Sequence, residues 1–354
     1  MNHSSKLLLA TVVVATAAAN AEAVKAPPAP APAATPALAD PAGPTDYRRD
    51  LARLLETSPA PRDRALAAQL LETQPPSGAH LPQRMALLRK AAAAAPGDRL
   101  VQALWATTSA SVHCGRRTTC GDRNALARLD PSNGAAWVIV VTGAWRAGNT
   151  RVADAAIARL AGSDRYNEHY GEAIGAWREV FAHHPPQQGA VANAATDAKY
   201  ALDLARDEAA ATAVPDTTAL LDACSRTRAA KAGAAHFRTC GRVGRLLMDR
   251  AQTLAGRAAG VAVLRAAGEG SKDDDERIRT VLWQSEQMVK VEAALAADPV
   301  GLQNYLNMVQ ANDSEMAAIR YELRIFGIPI TPPAQWRPAP TAQPTAPQSD
   351  SHEH

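Results

Sequence analysis

Between residues 45 and 330 this chain almost nowhere alternates apolar and polar residues with a period of two. A half-buried strand needs that alternation, because successive side chains point to opposite faces of a sheet. The nearest approach is the run Val138 to Val141, and helix formers flank it on both sides. Alanine, leucine and arginine fill most of the remainder, and all three favour helix. The expected fold class is therefore all-α, built of antiparallel helical hairpins.

Period and propensity predict helices at 46–57, 62–73, 81–95, 98–112, 120–129, 134–147, 149–162 and 167–183. Further helices are expected at 188–212, 216–225, 233–254, 257–267, 272–296, 299–311 and 313–325. Ser271 followed by Asp274 has the form of a capping box, in which each side chain satisfies the other residue's backbone N–H. The acidic run Asp273 to Glu276 then lies where a helix N-terminus favours negative charge, so it reads as a helix start and not as a cation site.

The two ends differ from this body. Lys6 supplies a positive charge ahead of the apolar run Leu7 to Ala19. Ala19-Asn20-Ala21 or Ala21-Glu22-Ala23 follows with small residues at cleavage spacing. Residues 1–23 are expected to be a signal peptide, and the mature chain periplasmic or secreted and soluble. A membrane-spanning helix needs about 20 apolar residues, and no such run is present. Residues 24–44 alternate Pro and Ala, and 331–354 are rich in Pro, Gln, Thr and Ser. Neither has much to bury, so both are expected to be disordered, with the helical body at 45–330 and a candidate sub-boundary near 186–215.

The charge balance is mild. A net charge of +3 and an aromatic content of 4% lack the basic clusters interleaved with aromatics that nucleic-acid binding uses, so no nucleic-acid partner is expected. The most basic stretch is 226–250, with Arg226, Arg228, Lys231, Arg238, Arg242, Arg245 and Arg250. It reads first as a solvated helix face, with Phe237, Val243, Leu246, Leu247 and Met248 turned inward. Its second reading is a contact for anionic envelope components.

The stretch Asp130-Pro131-Ser132-Asn133-Gly134-Ala135-Ala136-Trp137 opens a helix. Gly148 follows eleven residues after Trp137, and Ala153 sixteen after it. Trp fills a helix contact, Gly permits a tight reversal, and Ala admits a close neighbour. This pattern resembles a tetratricopeptide repeat, whose period is about 34 residues. One period earlier, Ala103 takes the place of Trp137 with Trp105 nearby, so the resemblance covers residues 97–165. It departs from the family at Val141, Ala144, Ile157 and Arg165. The resemblance implies a right-handed superhelical array in that part, and a surface for protein or peptide partners.

In that register Gly148 corresponds to Cys114, so Cys114 and Cys120 flank the turn of the earlier unit. Four cysteines in an exported chain suggest two disulfides. Three connectivities are open, and pairing Cys114 with Cys120 and Cys224 with Cys240 rearranges the chain least. Zinc sites usually set two to four residues between paired cysteines, whereas five and fifteen lie between these, so no metal is expected. Cofactor-binding glycine motifs after a strand are missing, and no cofactor is expected. Glu168-His169-Tyr170-Gly171-Glu172 would place Glu168 and Glu172 on one helical face with His169 beside them. The expected role is a protein–protein interaction or scaffolding module of the cell envelope, not an enzyme. The alternative is an envelope enzyme acting on a polymer near Glu168–Glu172.

Overall fold

The computed structural model describes residues 44–72, 80–111, 122–186, 194–213, 215–225 and 233–338. Every regular element among them is a helix, and the fold is all-α. The expected signal peptide, Cys114, Cys120, Arg226, Arg228 and Lys231 lie outside the described residues.

The first four helices, α1 (Pro44–Glu56), α2 (Pro61–Glu72), α3 (Leu81–Ala94) and α4 (Arg99–Ser111), pack against one another in chain order. A short α5 (Ala125–Leu129) leads into α6 (Gly134–Arg146) and α7 (Thr150–Ala161), followed by α8 (Tyr170–His183) and α9 (Ala194–Ala213). Then come α10 (Thr218–Cys224), α11 (Ala234–Arg250), α12 (Leu254–Ala267), α13 (Lys272–Ala297), α14 (Pro299–Asn312) and α15 (Glu315–Ile325).

Burial gathers these helices around two main apolar cores. The first joins Leu55, Leu66, Leu88 and Leu100 of α1 to α4 with Ile174 and Trp177 of α8, and with Leu306 and Ile319 of α14 and α15. The last helices thus join the first core through α8, which packs on both α2 and α14. The second core holds Leu126, Ile139, Ile157, Leu220, Val243, Leu247 and Val263, from α5 to α7 and α10 to α12. Helix α4 serves both: Leu104 and Trp105 face the first, Ala106 and Ala110 the second. Trp177 shows how tightly the first is closed. It is fully buried, stacks on Phe181 at 5.6 Å and donates its indole N–H to Thr212 of α9 at 3.1 Å.

The β-branched run Val138 to Val141 sits wholly inside α6 and is buried throughout, because α6 packs on α4, α7 and α10 together. Gly148 turns the chain between α6 and α7 with φ of 70°. The start of α6 lies beside the residues after α7, Gly134 N–H donating to Arg165 at 2.8 Å, so the two helices run antiparallel. Trp137 is half-buried, packs against the second core, and donates to the Pro131 carbonyl at 2.8 Å, which closes its own helix start. Helices α11 and α12 cross closely. A Cβ on Gly260 would stand 2.6 Å from the Met248 nitrogen and 2.7 Å from the Gly244 oxygen.

Local caps set the boundaries. Ser271 and Asp274 form the full capping box at the start of α13. The helix expected at 233–254 ends at Arg250. Residues 251–253 break it, and Thr253 caps α12 by accepting the Gly256 N–H at 2.9 Å. The helix expected at 167–183 begins only at Tyr170, because His169 takes the left-handed conformation with φ of 58°.

Candidate functional site

Residues 163–169, between α7 and α8, thread a polar bracket between the two cores. Asn133, fully buried before α6, holds this segment at both backbone groups of Asn167: its Oδ1 accepts the N–H at 2.9 Å and its Nδ2 donates to the carbonyl at 2.8 Å. Asn167 in turn donates from Nδ2 to Asp313 at 2.6 Å and accepts the His169 N–H at 2.7 Å. Glu168 is 3% exposed and spends both oxygens on the start of α12, accepting Thr253 Oγ1 at 2.7 Å and the Gln252 N–H at 2.9 Å. Gln252 then accepts the Met316 N–H of α15 at 3.0 Å. Glu315 completes the joint by accepting the Leu254 N–H at 2.7 Å.

Electrostatics follow from this enclosure. Burial pushes the Glu168 carboxyl up to about 7, and the Thr253 and Gln252 hydrogen bonds only partly oppose it. Burial also raises Glu315 and lowers His169, while Asp313 and Asp130 pull the imidazole the other way. Glu168 and Glu172 do not share a helical face. Glu168 precedes α8 and points to α12, whereas Glu172 lies in the first turn of α8 and accepts Arg62 Nη2 at 2.7 Å. The expected pairing fails because the left-handed turn at His169 rotates Glu168 away from the helix register. His169 stays near Glu172, with Nδ1 to Oε2 at 3.6 Å.

Glu172 opens onto a shallow cleft of about 300 Å³ between α2, α8 and α14, lined also by Arg62, Glu179, Gln310 and Asp313. Burial raises Glu172, and Arg62 opposes that shift. The cleft therefore presents a carboxylate and a guanidinium that already pair with each other.

Cys224 and Cys240 are bonded, with Cα atoms 5.7 Å apart and both side chains fully buried. They join the end of α10 to α11. In the basic stretch, Arg238, Arg242 and Arg250 face solvent, and Val243, Leu247 and Met248 face inward. Arg245 is committed to Asp274 of α13, donating from Nη2 at 2.9 Å and Nε at 3.0 Å. No group of three or more His, Cys, Asp or Glu side chains among the described residues could hold a metal ion. No helix among them is long and apolar enough to cross a membrane.

Sequence reasoning missed a second polar surface. Residues 331–338, expected within a disordered tail, lie against α13. Trp283 Nε1 donates to the Pro329 carbonyl at 2.7 Å, and Gln284 Nε2 to Ile330 at 3.1 Å. Arg279 Nη2 donates to the carbonyls of Pro333 at 3.1 Å and Trp336 at 3.2 Å. The Trp336 ring meets Trp283 edge-on at 5.4 Å and its N–H reaches Glu286 at 3.2 Å. Helical spacing puts Arg279, Trp283 and Glu286 on one face of α13, and that was the legible signal. The prolines that made 331–338 look unstructured also restrict its backbone, which turns at residues 333–336, where the Trp336 N–H donates to the Pro333 carbonyl at 3.0 Å. No protein family matches the chain, and neither does any curated protein or solved structure.

Proposed function

We propose that this chain is an interaction module of the cell envelope, which holds proline-containing protein segments against its helix faces. The observation that carries the reading is α13, whose side chains already hold residues 329–336 through their main-chain carbonyls. Recognition of carbonyls by indole, amide and guanidinium donors beside an aromatic ring is how proline-rich segments are commonly read. The tetratricopeptide-like resemblance of residues 97–165 supports the same class of partner, protein or peptide. The n-region and apolar run of residues 1–23, with the buried Cys224–Cys240 bond, support export to an oxidising compartment.

The test is site-specific photocrosslinking in intact cells, with the reactive side chain in place of Thr280 beside the α13 face. Discrete crosslinked polypeptides, mapped by mass spectrometry to proline-containing segments and lost on Trp283→Ala, are expected. The same products from a reactive group in place of Arg242 on α11 would refute the reading.

A second reading, an envelope enzyme acting on a polymer near Glu168–Glu172, draws on the cleft beside Glu172 and His169. It predicts polymer turnover that Glu172→Gln abolishes while the fold is kept.

A further inference from the structure

We infer that residues 329–336 are a displaceable occupant of the α13 groove, which takes a proline-containing, turn-forming segment of a different protein in their place. The inference rests on the interaction reading above and names its site and ligand class.

The groove reads main chain, not sequence. Trp283, Gln284 and Arg279 direct four donated hydrogen bonds at the carbonyls of residues 329, 330, 333 and 336. Any chain following the same path, with its turn at residues 333–336, presents carbonyls to the same donors. Prolines at 329, 332 and 333 favour that path before docking, which lowers the ordering cost of the bound form.

The segment leaves the groove incompletely satisfied. Gln284 is 2% exposed, yet its Oε1 accepts no hydrogen bond, and the buried Nε of Arg279 donates none. Buried polar atoms are normally paired, so these two mark places for a donor and an acceptor that residues 329–336 do not supply. Prolines 329, 332 and 333 have no N–H to give. This point also selects the occupant. The same segment from a second copy would leave the same Gln284 oxygen unpaired, whereas a different sequence can place an N–H there.

Release need not open a core. Trp283 and Trp336 belong to none of the apolar clusters that hold the helices together. The segment leaves α15 through Gly327, whose φ of 67° reverses the chain, and Ile328 is fixed separately by its N–H to Leu323 at 2.7 Å. Residues beyond Ile328 can therefore swing away while α15 stays packed. A tethered occupant of this kind lowers apparent affinity for a competing ligand by the fraction of time the groove is free.

The experiment uses the full chain and a fluorescein-labelled peptide with the sequence of residues 328–338 as probe. Trp336→Ala removes the indole bond to Glu286 and the ring contact with Trp283, while leaving every groove donor in place. The probe is expected to bind this variant at least tenfold more tightly than the wild-type chain, and Trp283→Phe in the same background is expected to remove the gain. Circular dichroism checks the fold. Should Trp336→Ala fail to fold, Glu286→Ala gives a milder release with the same expected direction. Equal binding to wild type and to the released variant, lost on Trp283→Phe, would overturn displacement yet leave the interaction reading standing. No binding to a released variant whose residues 329–338 exchange amide hydrogens freely would overturn the ligand class, with the crosslinking experiment still deciding the broader reading. Concentration-dependent dimers of Trp336→Ala on size exclusion would assign the groove to a second copy and overturn the foreign occupant.

Discussion

Glu168 accepts the hydroxyl of Thr253 at 2.7 Å, although 85 residues separate the two in sequence. The same hydroxyl oxygen accepts the Gly256 N–H at the start of α12. The cap of α12 and the docking of the α7–α8 connection are thus one event. Gln252 extends the bracket to α15, so a polar seam ties the helices of the second core to those of the first.

That seam predicts an unusual pH response. The Glu168 carboxyl has its folded pKa raised from 4.5 to about 7. A raised carboxyl contributes stability that is complete below the unfolded value and is lost as pH rises through the folded one. Stability from this group should therefore fall between about pH 4.5 and 7, by up to about 3 kcal/mol at roughly 1.4 kcal/mol per unit. Glu315 and Glu172 shift in the same direction, and His169 opposes them. Urea unfolding of wild type and Glu168→Gln at both ends of that window measures the term. Glu168→Gln should flatten the slope, and parallel curves for the two proteins would exclude Glu168 as its source.

Asp274 predicts the opposite sign. Hydrogen bonds from Arg245 hold its carboxyl down at about 2, with Ser271 adding to the effect. Its contribution is present above the ordinary carboxylate value and is lost as pH falls toward 2. Asp274→Ala removes a capping partner and a charge-assisted pair together. Arg245 is 34% exposed and can rehydrate, so the expected loss is about 2 kcal/mol at neutral pH and not the larger cost of stranding a buried charge. The check is the difference between variant and wild type at pH 7 and at pH 2.5, which should shrink at the lower value.

These residues also mark how far the sequence could be read. The helices and the Ser271–Asp274 box were legible because propensity and caps act within a few residues. Arg245 was read only as part of a basic stretch, since its partner lies 29 residues away on another helix. The helix expected from 167 begins at Tyr170 because His169 donates its N–H to Asn167, and Asn167 is itself fixed by Asn133 and Asp313, which are distant in sequence. Residues 331–338 looked unstructured for the same reason. Their composition has little to bury by itself, and what orders them is Trp283, about fifty residues upstream. The Cys224–Cys240 bond was legible only as one of three connectivities, the one that rearranges the chain least.

The α11–α12 crossing gives a packing prediction. Gly260→Ala would push a methyl against the Met248 nitrogen and the Gly244 oxygen, both backbone atoms that cannot move aside. Overpacking of this kind costs about 1–3 kcal/mol. Gly97→Ala is the control, because a methyl there meets nothing within 4 Å. Chemical denaturation should rank Gly260→Ala well below wild type and Gly97→Ala close to it. Equal effects would mean that the crossing yields freely.

The Cys224–Cys240 bond closes a sequence separation of 16. In the chain-entropy picture a loop of about 17 residues is worth roughly 3 kcal/mol, through restriction of the unfolded chain. Replacing both residues by Ala should lower stability by about that much, and the melting temperature by roughly 5–10 °C. Alanine is the better substitute than serine, since both positions are fully buried and a hydroxyl there would need a partner. The folded arrangement should survive the loss. His236 Nε2 lies 3.0 Å from the Ala223 carbonyl and its Nδ1 3.4 Å from Asp154, so α10, α11 and α7 remain linked without the sulfur bridge. Reduced wild type and the double variant should therefore melt together, below the oxidised protein, with unchanged helical content. A reduced protein that melts with the oxidised one would show that the bridge adds no stability to the fold.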